Sequence, residues 1–377
     1  MVWQKNRGQV SLWLLWLSWS GCIAVWLTGS GCAPSPVAGG GPAVEQTVGN
    51  QASGPQAGVP PGGASAPSGV FPGEEWDVEA PERHGLEQAL LQQAAAEVQR
   101  IGGRQCFLVI KDGVIVHESY YTGDKETLNG IASVTKSFGS TLLGIAATQG
   151  LLDVGDLVAR WVPAHSPRIQ PSATLRHLLS HTSESNPPGK GFSYDSDEVI
   201  NTLPAALSAA AGMTSPEFAR KYLVEPLSLR HFEWQRDNQG NLLFGYGIQS
   251  TCRDVARLGL LYLHKGKWNG RTIVSPGNVE AATRPPFPEA NSGYGYLWWL
   301  NSGQGTWRRP LETGGGKMLG DAPESLFMGT GIFGQLLVVL PESRAVLVTL
   351  GSTPDFETLN TVRKLWKAVA PLFGNAP

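Results

Sequence analysis

Two runs of strand-type sequence, one near each end of the folded part of the chain, set the strongest limit on what it can fold into. CFLVIKDGVIVHESYY, residues 106–121, is apolar and β-branched on both sides of Lys111-Asp112-Gly113, a hairpin signal. GQLLVVLPESRAVLVTLG, residues 334–351, repeats the pattern around Pro341-Glu342-Ser343-Arg344. Before the first pair, Leu86, Leu90, Leu91, Ala94, Val98 and Ile101 recur at helical spacing, and Gly102-Gly103 stops the helix. After the second pair a last helix is expected over about 355–372. Between the pairs the sequence reads as helix and loop, with a clear amphipathic helix from Asp254 to His264. The simplest packing is an α+β fold. The strands from both chain ends form one antiparallel sheet flanked by the first and last helices, and residues of about 151–285 form an inserted, mainly helical lobe. A cleft between lobes is the default place for a ligand.

The first 75 residues cannot join that core. MVWQKNRGQ carries Lys5 and Arg7, and Val10 to Gly29 is an uncharged apolar run. A positive end followed by such a run is the layout of a signal peptide, and it is also long enough to span a bilayer. GSGC, ending at Cys32, resembles a bacterial lipoprotein processing site, although Gly29 stands where that pattern has Leu. Residues 1–32 are thus expected to be a signal peptide, a lipoprotein anchor lipidated at Cys32, or a membrane anchor. All three place the remainder outside the cytoplasm, in a bacterial cell envelope. Residues 33–75 are mostly Ala, Gly, Pro, Ser and Val and read as a flexible linker. The folded domain is expected over 76–377. The formal net charge is −2, so no basic excess points to nucleic acid. The expected partners are a small-molecule substrate and, through the N-terminal anchor, a membrane.

The stretch GIASVTKSFGS, residues 130–140, holds Ser133 and Lys136 three apart at the start of a helical pattern that Gly150 ends. Residues three apart share a helix face. A serine hydroxyl needs a base within hydrogen-bond reach to act as a nucleophile, and a lysine serves when desolvation or a second cation favours its neutral form. The helix start also favours a developing anion. Taken alone, the same pair fits an N-cap serine and a solvated lysine.

The surroundings resemble the serine beta-lactamase-like hydrolases, above all the branch of class C beta-lactamases, family VIII esterases and 6-aminohexanoate-dimer hydrolases. SVTK is similar to that family's Ser-x-x-Lys nucleophile motif. GIAATQGLLDVGDLVARWVP, TLRHLLSHTS, GIQSTCRDVARLGLLYLHKGKWNGRTIVSP and GYGYLWWL resemble further landmarks in the family's order. The resemblance covers about residues 100–355. It implies that Ser133 is the nucleophile, Lys136 its base and Tyr194 of GFSYDSD the second proton carrier. Ser196 stands where the family has Asn. For the third motif, an edge strand beside the nucleophile, Glu312-Thr313-Gly314 has the letters but precedes GGKMLG, which is not strand-like. Gly329-Thr330-Gly331 runs into a strand and is preferred. The resemblance then implies an oxyanion hole from the backbone N–H groups of Ser133 and Ile332, with Ser196, Gly329, Thr330 and Gly331 around the substrate. With Gly329 in place of Lys or His, no cation is expected there, which points to a neutral or roomy acyl group.

The remaining features have plainer readings. His177 and His181, four apart without an intervening Glu, are expected to be structural rather than zinc ligands. Asp153 and Asp156 are expected to cap or turn the chain. Tyr294, Tyr296, Trp298 and Trp299 are core residues, some of which line an acyl pocket. Of the four cysteines, only Cys106 and Cys252 fall in the folded part. A disulfide between them is permitted in an oxidising compartment, but two buried thiols are the expectation. The reading as a whole is an exported, membrane-tethered serine hydrolase cleaving an ester or small amide through an acyl-enzyme, with no metal or cofactor. The alternatives are a D,D-peptidase or beta-lactamase, and a non-catalytic penicillin-binding-like scaffold module.

Overall fold

The sheet forms as the two strand pairs predict, and the chain ends meet at its centre. In the computed structural model, which describes residues 70–194, 197–353 and 358–374, six strands make one sheet. They are β1 (Arg104–Lys111), β2 (Val114–Tyr120), β3 (Trp299–Leu300), β4 (Phe327–Gly331), β5 (Gln335–Leu340) and β6 (Ala345–Gly351). Their order is β2-β1-β6-β5-β4-β3, antiparallel throughout. β1 pairs directly with β6, Phe107 opposite Thr349 and Val109 opposite Leu347. Asp112 and Gly113 both take positive φ, 53° and 95°, as a tight hairpin between right-twisted strands requires.

Both faces of the sheet are covered, and strand alternation sorts them. The first helix, α1 (Gln88–Arg100), and the last, Thr358–Val369, lie on one face. There Val98, Val362 and Leu365 meet Phe107, Leu336, Val338 and Leu347. On the other face Gly259, in the helix Cys252–Leu263, approaches Val346 and Leu337. A Cβ at Gly259 would stand 2.5 Å from Val346 Cγ1, so only glycine permits this spacing. The helix Cys252–Leu263 therefore belongs to the sheet layer and not to the inserted lobe, which corrects the expected lobe over 151–285. The lobe's own helices are short, among them Val158–Trp161, Leu175–Leu179, Thr202–Ala211 and Ser215–Ala219.

Two other expectations change. The packed chain starts before Trp76: the Phe71 ring lies 4.5 Å from that of His264 and 5.2 Å from that of Trp268. Cys106 and Cys252 are not two thiols but a disulfide, with Cα atoms 6.7 Å apart. It ties β1 to the start of the Cys252–Leu263 helix, across 146 residues of sequence. The anchor, most of the linker and Cys32 lie outside the described residues.

Gly259→Ala is expected to lower the urea midpoint by the equivalent of about 1–3 kcal/mol, the usual cost of overpacking. Gly277→Ala, where a Cβ meets nothing within 4 Å, is the control and should hold or raise stability. Equal midpoints for the two variants would contradict the close packing.

Candidate active site

Ser133 lies in a 3-10 turn, Ala132–Val134, that leads into α2 (Thr135–Thr148). The chain enters the turn through Ala132 at φ 46°, a left-handed conformation uncommon for a residue with a Cβ. Ile131 anchors the entry by donating its N–H to the Ile248 carbonyl at 3.0 Å. Val134 N–H donates to the Ile131 carbonyl at 3.1 Å and Thr135 N–H to the Ala132 carbonyl, whereas the first N–H groups of a helical run, here that of Ser133, have no intrahelical partner.

Lys136 stands one turn on and is buried. Its Nζ donates to Ser133 Oγ at 3.1 Å and to the Gly245 carbonyl at 2.8 Å. That carbonyl is held in place by Asn201, whose Oδ1 accepts from the N–H groups of Phe244 (2.9 Å) and Gly245 (3.3 Å). Lys136 Nζ also lies 5.0 Å from the centroid of the Tyr194 ring. Among the described residues no hydrogen bond joins the Tyr194 hydroxyl to Ser133 or Lys136; tyrosine and lysine meet through the ring.

Strand β4 closes the other side. An ideal Cβ on Gly331 would lie 2.7 Å from the Ile131 carbonyl and 3.0 Å from Ser133 N. One on Gly329 would lie 3.0 Å from Ser137 Oγ. The backbone contact requires glycine at Gly331, whereas at Gly329 the neighbouring side chains would have to give by a few tenths of an ångström; Ile332, 45% exposed, follows directly. The rival Glu312-Thr313-Gly314 contributes to a short strand after all, Thr313–Gly315. That strand pairs only with Thr306–Arg308, in a separate two-stranded sheet.

An aromatic wall backs Tyr194. Its ring centroid lies 5.2 Å from Trp299, 4.9 Å from His181 and 6.0 Å from Tyr294. Trp298 points away, onto Tyr262 and Phe327. His181 is buried, and among the described residues neither ring nitrogen has a hydrogen-bond partner. Burial first, and then nearby Lys136, hold its pKa well below the usual imidazole value. His177 instead caps a helix. Its Nδ1 bonds the Thr174 N–H (3.1 Å) and hydroxyl (2.8 Å) at the start of the helix Leu175–Leu179. Asp153 and Asp156 turn the chain as expected, Asp153 Oδ1 accepting from Gly155 N and Asp156 Oδ2 from Asp153 N.

Residues brought together are thus Ser133, Lys136, Tyr194, Gly329, Thr330, Gly331 and Ile332. Ser196 lies outside the described residues. Sequence reasoning missed Gly245, Asn201 and Arg309. Arg309 starts the tight turn Arg309-Pro310-Leu311-Glu312 of the small hairpin, its N–H donating to the Glu312 carbonyl at 2.8 Å. Its Nη2 donates to Thr330 Oγ1 at 2.9 Å, and its guanidinium lies 3.9 Å from the Trp299 ring. Burial lowers its pKa to about 10. The strand position that lacks a cation at Gly329 therefore has one beside Thr330, from a hairpin whose fold-back no local motif reveals.

The sequence profile of the beta-lactamase family matches residues 88–370. A family VIII carboxylesterase superposes with TM-score 0.60 at 14% identity, over 81% of this chain and 99% of its own. A beta-lactamase from Mycobacterium bovis gives TM-score 0.56 at 19% identity, over 74% and 99%. A Bacillus anthracis protein provisionally designated a 6-aminohexanoate-dimer hydrolase gives TM-score 0.60 at 19% identity, over 73% and 80%. At these identities the likeness is one of fold. An uncharacterized protein of Alkalihalophilus pseudofirmus is 23% identical over 303 residues, 68% of this chain and 87% of that one.

A neutral buried His181 has a consequence for stability. Unfolded, its imidazole protonates near the ordinary value of 6.5; folded, it does so far lower. Below pH 6.5 the unfolded state binds more protons, so stability is lost as pH falls through that value. His117, His177 and His264 shift in the same direction. The urea midpoint should fall between pH 7.5 and 5.5. His181→Gln should flatten that slope by about one proton, at most about 1.4 kcal/mol per pH unit. An unchanged slope would mean that His181 is protonated in the fold.

Proposed function

This chain belongs to the beta-lactamase family, and from that premise we propose that it is a serine hydrolase cleaving an ester or small amide through an acyl-enzyme on Ser133. One observation carries the reading: a buried lysine Nζ 3.1 Å from a serine hydroxyl at a helix start, with a glycine strand against the same turn. A solvated lysine beside an N-cap serine would have neither the burial nor the strand.

In the proposed reaction Lys136, in its neutral form, takes the Ser133 hydroxyl proton as Oγ attacks the carbonyl carbon. The Gly245 carbonyl keeps the amine in line with Oγ. The N–H groups of Ser133 and Ile332 donate to the oxyanion, which is where such preorganised donors contribute most. Collapse of the tetrahedral species expels the alcohol or amine, which takes the proton back from Lys136, with the Tyr194 ring packed against that amine. Water, activated by the same pair, then attacks the acyl-enzyme and frees Ser133. The aromatic wall of Tyr194, Tyr294 and Trp299 excludes bulk water from one side.

We place the domain outside the cytoplasm, tethered through its N-terminal segment. Support comes from the apolar run Val10 to Gly29 and from the Cys106–Cys252 disulfide, since such bonds persist in oxidising compartments. Among the described residues no helix is long and apolar enough to cross a membrane.

The test is turnover of p-nitrophenyl butyrate by the full-length chain. Ser133→Ala and Lys136→Ala should each lower kcat by about 10³-fold or more, as removal of a nucleophile or its base does in acyl-transfer enzymes. Turnover by Ser133→Ala at the wild-type rate would end the acyl-enzyme reading. Gly331→Ala probes the oxyanion geometry separately: it pushes β4 from the turn, and kcat should fall about 10²-fold with KM little changed.

A further inference from the structure

We infer that Arg104 is a positioning residue for the oxyanion hole: its guanidinium holds the turn Ile332–Gly334, which carries the Ile332 N–H. The inference rests on the serine hydrolase reading above. It adds a residue from the opposite end of the domain that acts through the backbone.

The turn joins β4 to β5, and two of its residues take left-handed backbone, Phe333 at φ 62° and Gly334 at φ 79°. Glycine adopts that conformation freely. For phenylalanine it is uncommon, and such a residue persists only where its surroundings over-determine it. Left to itself, Phe333 would relax toward negative φ, and Ile332, one residue before it, would turn with it. The Ile332 N–H lies in the peptide plane between Gly331, pressed against the nucleophile turn, and this strained residue. Its aim is therefore fixed from both sides or from neither.

Arg104 supplies the constraint. The Phe333 carbonyl receives two donors, Arg104 Nη1 at 3.3 Å and the Thr353 N–H at 3.1 Å. The same Nη1 donates to Thr353 Oγ1 at 3.1 Å, so the guanidinium and Thr353 brace each other as they hold the carbonyl. Nε and Nη2 both donate to Thr349 Oγ1, at 3.1 and 2.9 Å, which fixes the plane of the fork on β6. Packing closes the arrangement, since an ideal Cβ on Gly334 would stand 2.7 Å from Arg104 Nη1. The side chain is buried, and burial lowers its pKa to about 10. Its partners are hydroxyls and a carbonyl instead of a carboxylate, an unfavourable setting for a charge withdrawn from water. Tying β1 to β6 does not call for it, because the two strands already pair along their length. The partner that lies off β6 and its continuation is the Phe333 carbonyl, in the turn next to the nucleophile.

The experiment gives the full-length chain two esters, p-nitrophenyl butyrate and its thionoester, in which sulfur replaces the carbonyl oxygen. Sulfur accepts N–H hydrogen bonds poorly. The preference for the oxygen ester, taken relative to hydroxide hydrolysis of the same pair, therefore reads the oxyanion donors directly. Arg104→Gln should lower kcat on the oxygen ester about tenfold or more with KM within about twofold, and lower the oxygen preference by a similar factor, as a misplaced oxyanion donor does. Arg104→Lys, which keeps the charge and loses the fork, should fall between. Gly259→Ala is the comparator: it loosens the core away from the turn and should leave the preference at its wild-type value. An equal loss of preference in Gly259→Ala and Arg104→Gln would be general loosening and overturns the assignment. So does Arg104→Gln with the wild-type preference, or wild-type enzyme with none. If Arg104→Gln does not fold, Arg104→Lys decides: a reduced preference supports the assignment and an unchanged one overturns it. Each of these results leaves the nucleophile reading standing if Ser133→Ala is inert, and an active Ser133→Ala ends both.

Discussion

The pairing of β1 with β6 is the contact on which the remaining architecture depends. It joins residues about 240 positions apart in sequence, Phe107 to Thr349 and Val109 to Leu347. Closing so long a loop has an entropic cost that grows only slowly with length, and the interface that results is continuous and apolar on both faces. Once the ends are paired, β5 and β4 follow by short antiparallel connections, and β4 arrives beside the turn that holds Ser133. The disulfide from Cys106 to Cys252 fastens the same centre, linking the sheet to the helix packed on it through Gly259. The site is therefore assembled from three distant stretches, and its geometry is only as firm as the sheet that brings them together.

Glycine has two separate uses in that assembly. At Gly259 it removes a side chain so that a helix can lie close to the sheet, which is a matter of core density. At Gly329 and Gly331 it removes side chains so that a strand can lie against a helical turn with N–H groups near Ser133. The second use leaves little tolerance. Gly329 leaves that strand position without a cation, and the small hairpin brings Arg309 to the neighbouring Thr330.

The electrostatics around Ser133 are asymmetric. Lys136 is buried and donates to a carbonyl and a hydroxyl, and burial lowers the pKa of its neighbour His181. The aromatic wall separates it from Arg309. Two basic side chains thus meet the aromatic pair from opposite ends, Lys136 against the Tyr194 ring and Arg309 against the Trp299 ring.

Much of this was legible in the residues. Continuous apolar runs on both sides of Asp112-Gly113 and Pro341–Arg344 read as strand pairs buried on both faces, so local pattern pointed to the sheet and its flanking helices. Ser133 and Lys136 were readable from their helical spacing, and Tyr194 and Gly329 to Gly331 from the resemblance to the family's motifs; the fold brings them to one place. The rest is non-local. Whether Cys106 reaches Cys252 depends on a helix docking on a sheet, which no separation of 146 residues reveals. The place of Cys252–Leu263 in the sheet layer hangs on a single glycine facing Val346. Asn201 and the Gly245 carbonyl bear no signature, because a carbonyl is present at every residue and only folding aims one at Lys136. Arg309, adjacent to Arg308, belongs to no motif. Its place is decided by the hairpin folding back onto Thr330 and Trp299, where the low dielectric of a packed site gives the charge its meaning. The chain's own sequence determined which groups can react, and the tertiary packing determined which charge they face.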